Sequence, residues 1–150
     1  MDVNDNPPKF VFKYPNNVYT NGKYYAAIAM EAPISSILLQ VHAEDKDSGA
    51  LGQVTYEILD ETNSGKFFSI ERMTGTIRND RMISINQLPL RLIVVARDNP
   101  GQPKGYQETS CQVVVSSLKF HFLFHSDHLF DSSLNIVQHR QCRSLNEPSI

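Results

Sequence analysis

Ser36-Ile37-Leu38-Leu39-Gln40-Val41-His42-Ala43 places Ile37, Leu39, Val41 and Ala43 on one side and mostly polar residues on the other. A period of two marks a half-buried strand, because successive side chains leave a pleated backbone on opposite faces. Val54-Thr55-Tyr56-Glu57-Ile58 repeats it with Val54, Tyr56 and Ile58 inward, and the run from Leu90 to Ala96 does so with Leu90, Leu92, Val94 and Ala96 inward. Shorter extended runs fit Phe67 to Ile70, Gly75 to Arg78 and Glu108 to Val115, and Tyr24 to Met30 adds an apolar segment. Between them lie Asp-Lys-Asp-Ser-Gly at 45–49, Thr-Asn-Ser-Gly at 62–65, Met-Thr-Gly at 73–75 and Asn-Pro-Gly-Gln-Pro at 99–103, all turn chemistry. No amphipathic helical period appears before residue 116. About seven short strands separated by Gly, Pro and Asn turns predict an all-β chain folded as an antiparallel β-sandwich. Beyond Ser117 the rhythm stops, and the stretch 117–150 reads as an irregular, weakly structured tail.

The 150 residues, 41% apolar and 20% charged, suit one domain with something extra. A net charge of −2 gives no reason to expect nucleic acid or an anionic membrane as a partner. Cys111 reads as a small buried residue beside Val113 and Val115, and Cys142 as a free thiol in the tail. Met1 leads straight into Asp-Val-Asn-Asp-Asn without a secretory pattern, so the chain is expected to be a fragment of a longer protein or to stay inside the cell. The apolar cluster from Leu118 to Phe124 is broken by Lys119 and His121 and is far short of the roughly 20 residues that span a bilayer. Nucleophile-elbow, zinc-protease and phosphate-loop motifs are absent, and His125, Ser126 and Asp127 are adjacent rather than convergent, so no enzyme and no small-molecule substrate are expected. His121, His125 and His128 would share a helix face, but read as adventitious residues of the tail.

The charge is concentrated. Asp2-Val3-Asn4-Asp5-Asn6 precedes two prolines that hold the next residues extended, Asp45 and Asp47 sit in a turn after a strand, and Asp98 ends another strand. Carboxylates gathered at one pole of a sandwich repel and call for a cation. A hard divalent ion taking six to eight oxygens suits Asp, Asn and backbone carbonyls, which favours calcium over magnesium or zinc.

Four stretches resemble the cadherin repeat in family order: DVNDNPPKF its inter-repeat linker, AEDKDSGALGQVTYEI its second and third strands, FFSIERMTGTI its central hairpin and VVARDNPGQP its late acidic turn. The resemblance covers residues 2 to about 116. It implies a seven-stranded Greek-key, immunoglobulin-like sandwich over residues 7–116, with residues 1–6 as the calcium linker and 117–150 as a non-cadherin tail. By position, it also implies that Asn4 through its side chain, Asn6 through its carbonyl, Asp45, Asp47 and Asp98 enclose one calcium ion, with a backbone oxygen from Leu51 where the family often has Asn. Asp2, Asp5, Asp47 and the Val3 carbonyl would help bind two further ions shared with a preceding repeat. At the other pole Glu31 matches the family's base glutamate, but Ser84-Ile85-Asn86 stands where an acidic motif is usual, so no calcium site is expected there. The stretch from Asn6 to Glu31 is longer than usual, and the absence of tryptophan sets the chain apart from strand-swapping classical cadherins. Long non-classical cadherins of the Fat, dachsous or tip-link kind fit better.

The implied function is calcium-dependent cell–cell adhesion, with calcium at the inter-repeat junction rigidifying the ectodomain rod. Its partners would be other cadherin repeats, homophilic or heterophilic, at the extracellular face of the plasma membrane. The tail raises a second expectation, a truncated secreted product with a decoy role or none, and an intracellular calcium-binding role is a third.

Overall fold

The computed structural model describes residues 3–12 and 22–118. Among the described residues there are nine strand segments: β1 (Lys9–Phe10), β2 (Lys23–Ile28), β3 (Ile37–Gln40), β4 (Ala43–Glu44), β5 (Thr55–Ile58), β6 (Phe68–Ile70), β7 (Thr76–Asn79), β8 (Leu90–Arg97) and β9 (Glu108–Ser117). Among the described residues, short 3₁₀ turns lie at Gly49–Gly52, Asp60–Thr62 and Ile85–Gln87. The strands form a four-stranded sheet ordered β2-β9-β8-β5, a three-stranded sheet β3-β7-β6 and a two-stranded pair β1-β4. All seven expected runs contain strand, the run at 36–43 being divided into β3 and β4.

Alternation explains the core. Leu92, Val94 and Ala96 of β8 and Val113 and Val115 of β9 are fully buried, as are Val41 after β3 and Ile77 of β7. Cys111 is buried in the same row, as its spacing from Val113 indicates. Burial of a side chain of this size stabilises by about 1.5–3 kcal/mol, so these facing rows bind the sheets together.

Two details depart from the sequence reading. Ile37 is 38% exposed and Leu38 is 3% exposed, the reverse of the expected phase. The register of β3 against β7 shifts between Ile37 and Leu39, and an extra residue opposite one partner residue moves the alternation by one position. The second departure is that β2 runs parallel to β9, from Lys23 opposite Gln112 to Ile28 opposite Ser117, whereas the other pairings are antiparallel. Strands so distant in the chain need no hairpin between them, so nothing local forces them to run oppositely.

The sandwich therefore has two distinct poles. The upper one gathers the end of β8, the starts of β5 and β9, and the turn after β4, with Arg97 opposite both Thr55 and Glu108. The lower one gathers the ends of β2 and β9, the starts of β8 and β3, and the end of β7. Tyr24 anchors the incoming segment to the upper half: its ring packs edge-on against Phe10 and beside Phe12, and its hydroxyl donates to the Val11 carbonyl at 2.6 Å.

Candidate metal centre

Asp45, Asp47 and Asp98 reach the upper pole from two separate parts of the chain. Their carboxylate oxygens lie within 4.8 Å of one another. Asp45 and Asp47 occupy the loop after β4, where the Asp47 amide donates to Asp45 Oδ1 at 2.8 Å. The following turn is held against this loop by Gly52, since a Cβ there would lie 2.0 Å from the Asp47 carbonyl oxygen. Leu51 belongs to that turn and is partly buried. Asp98 follows directly on β8 and is wholly buried, its Oδ1 accepting from the Gln107 amide at 2.6 Å.

The linker closes over these carboxylates. Asn4 Nδ2 donates to Asp98 Oδ1 at 2.9 Å and to the Gly105 carbonyl at 2.8 Å. Asn6 donates to Asp47 twice, from its backbone amide at 3.1 Å and from Nδ2 at 2.6 Å, and Nδ2 also reaches Asp5 Oδ1 at 2.7 Å. Pro8 and Phe10 are buried just beyond, which fixes the linker's path. Gln107, which no sequence motif marked, donates to the Asn4 carbonyl at 2.9 Å and ties the linker to the start of β9. A lone glutamine nine positions after Asp98 carries no recognisable pattern; only the turn brings it back.

The electrostatics are unbalanced. Among the described residues no basic side chain pairs with Asp45, Asp47 or Asp98, because Arg97 is committed to Glu108 at 2.9 Å, to Glu57 at 3.8 Å and to the Tyr106 ring face. Burial, together with the nearby charges of Asp47 and Asp98, raises the Asp45 carboxyl above the usual carboxylate range. Hydrogen bonds from Asn6 hold Asp47 below it. Asp45 Oδ2 and Asp98 Oδ2 are buried with no hydrogen-bond partner. A buried, unpaired carboxylate oxygen carries a desolvation cost of at least 1–3 kcal/mol. A cation bound by oxygens relieves both the cost and the repulsion, so this all-oxygen donor set fits calcium.

The remaining candidates fall elsewhere. Val3 and Asp5 are exposed on the linker, and Asp2 lies outside the described residues. Glu31 is exposed in the connection after β2, at the lower pole, and joins no group of three metal-binding side chains among the described residues. His121, His125, His128 and Cys142 are also outside the described residues.

An all-β sandwich with an acidic linker folded onto an acidic pole defines a class of β-sandwich module built to hold a cation at one end, and comparison with known proteins specifies the family. The cadherin domain matches residues 24–116. Cadherin-99C of Drosophila melanogaster is 32% identical over 124 residues, 79% of this chain and 7% of that protein. Cadherin-23 of Rattus norvegicus is 36% identical over 110 residues, 71% of this chain and 3% of that protein. The crystal structure of mouse Cadherin-23 EC22-24 superposes with a TM-score of 0.67 at 28% identity, covering 78% of this chain and 34% of that one. The chain belongs to the cadherin superfamily, as a repeat of the non-classical kind. It spans less than a tenth of the length of either of these two curated relatives. It is an adhesion-family module rather than an enzyme, from a family of extracellular domains that generally binds calcium. No helix among the described residues is long and apolar enough to cross a membrane.

Proposed function

We propose that this repeat is a calcium-dependent adhesion module whose upper pole joins it rigidly to a preceding repeat on the outer face of the plasma membrane. The observation that carries this is the convergence of Asp45, Asp47 and Asp98, two of them with a buried, unpaired oxygen, beneath a linker that already touches them. Asn4, Asn6, Asp45, Asp47 and Asp98, with the Leu51 carbonyl, would hold one ion. Asp2, Asp5 and the Val3 carbonyl would contribute with Asp47 to sites completed by another repeat. Neutralising the pole fixes the linker's direction, and a fixed linker turns consecutive repeats into a rod that can present distal repeats to cadherins on another cell. The relatives favour this over a decoy role.

Calcium titration of the chain by isothermal calorimetry tests the reading. One ion should bind with a dissociation constant of about 10⁻⁴–10⁻³ M, the range of extracellular modules. Asp45→Ala, which removes a carboxylate from the cluster, should abolish the binding heat. Only dilution heat from the native chain, or undiminished binding by Asp45→Ala, would reject it.

A further inference from the structure

The hydrogen bonds that hold the linker to the upper pole differ in the groups they use. Asn4 Nδ2 and both nitrogens of Asn6 donate to Asp98 and Asp47, carboxylates that a bound ion would claim. The bond from Asn4 Nδ2 to the Gly105 carbonyl is made by a side chain of the same ligand set. Gln107 Nε2 instead donates to the Asn4 main-chain carbonyl at 2.9 Å, a group outside that set. A second, longer bond of 3.3 Å reaches Asn4 Oδ1. An amide oxygen has two lone pairs, so it can accept this bond and still face a cation.

Gln107 reaches out from a fixed point. Its amide donates to Asp98 Oδ1 at 2.6 Å, and the Asp98 amide donates back to its carbonyl at 3.1 Å. The turn between β8 and β9 is closed by Asn99, whose backbone takes the left-handed φ of 46° and whose Nδ2 donates to the Gly105 carbonyl at 3.2 Å. The pole beneath opposes the linker. Whenever no cation neutralises Asp45, Asp47 and Asp98, they repel one another and also Asp5, the residue after Asn4. We propose that Gln107 is a positioning residue that latches the Asn4 main chain to the start of β9, keeping the linker's ligands over the pole before calcium arrives. The latch stands on hydrogen-bond geometry, and its effect on affinity rests on the metal reading given above.

Amide hydrogen exchange of the full chain in chelator, read by NMR, tests it. The Asn6 amide, bonded to Asp47, reports on the linker. The Val11 amide, bonded to the His42 carbonyl at 2.8 Å beyond the buried Pro8 and Phe10, is the internal reference. Gln107→Met keeps the length of the side chain and removes the donor. Loss of one net hydrogen bond shifts an opening equilibrium about two- to tenfold, so Asn6 exchange should speed up by that factor while Val11 is unchanged. Calcium affinity should weaken by no more than the same factor, as the latched population falls. Equal Asn6 rates in the native chain and Gln107→Met, or tighter calcium binding by the variant, would overturn the proposal. So would a native Asn6 amide that exchanges in chelator as fast as one in an unstructured peptide, a result that needs no variant. A native chain that binds no calcium would remove the metal reading alone, because the comparison in chelator decides the latch.

Discussion

Replacing Asp98 with Asn should change stability in opposite directions with and without calcium. The substitution preserves shape and leaves an Oδ1 to accept from the Gln107 amide and from Asn4 Nδ2. It removes one of three charges whose oxygens lie within 4.8 Å, and so two of the three repulsive pairs. At this separation a pair of unit charges is worth roughly 3 kcal/mol at an effective dielectric of about 20, and roughly 1 in water. Asp98 is wholly buried and Asp45 partly so, which puts their pair between the two figures and the relief at about 2 kcal/mol, while the solvent-screened Asp47 adds little. Against this, two charge-assisted hydrogen bonds become neutral ones, costing about 1 kcal/mol together. In chelator the variant should therefore be more stable by about 1 kcal/mol, a rise of about 4 °C in the midpoint for a domain of this size. In calcium at ten times its dissociation constant the native chain gains about 1.4 kcal/mol that the variant forgoes, and the order reverses or the gap closes. Scanning calorimetry in both buffers is the assay; it also suits a chain without tryptophan. An Asp98→Asn midpoint below the native one in chelator, or an equal calcium shift in both proteins, would refute the idea of a repelling cluster relieved by metal.

Other outcomes follow from the geometry. Gly52→Ala should destabilise the chain by about 2 kcal/mol, and weaken calcium binding, because the new methyl cannot occupy space 2.0 Å from the Asp47 carbonyl without shifting that loop; urea unfolding and calcium titration read the two effects. Burial raises the Cys111 thiol from its ordinary 9.0 to about 11 and the Tyr24 hydroxyl from 10.0 to about 12. The folded chain thus retains protons that the unfolded chain releases, and urea-measured stability should fall as pH climbs through 9 to 12, with no such fall below pH 8 from these groups. Leu92→Ala, at a fully buried site in the central β8, should cost about 2–5 kcal/mol and lower the melting midpoint without altering calcium affinity per folded molecule.

Legibility varied with the range of the interactions involved. The rows through Leu92, Val94 and Ala96 and through Cys111, Val113 and Val115 were readable because a pleat turns sequence parity directly into a face. Parity failed at Ile37–Leu39, where the shifted register against β7 buries Leu38, a feature set by the partner strand. At the upper pole Asp45, Asp47 and Asp98 could be grouped because each lies just past a strand end that could share one pole; the resemblance to the cadherin repeat then implied which of them enclose an ion. Nothing marked Gln107, whose part depends on β9 starting beside the end of β8.

The residues by themselves determined that strands would form, which side chains of β8 and β9 would face inward, and that carboxylates would gather at the ends of strands. These properties follow from backbone sterics and local periodicity. Only the tertiary structure decided that β2 would run parallel to β9, that Asn4 and Asn6 would close over Asp98 and Asp47, and that one pole would be acidic while the other exposed methionine and isoleucine. Those features depend on contacts between residues up to a hundred positions apart, whose proximity no local pattern encodes.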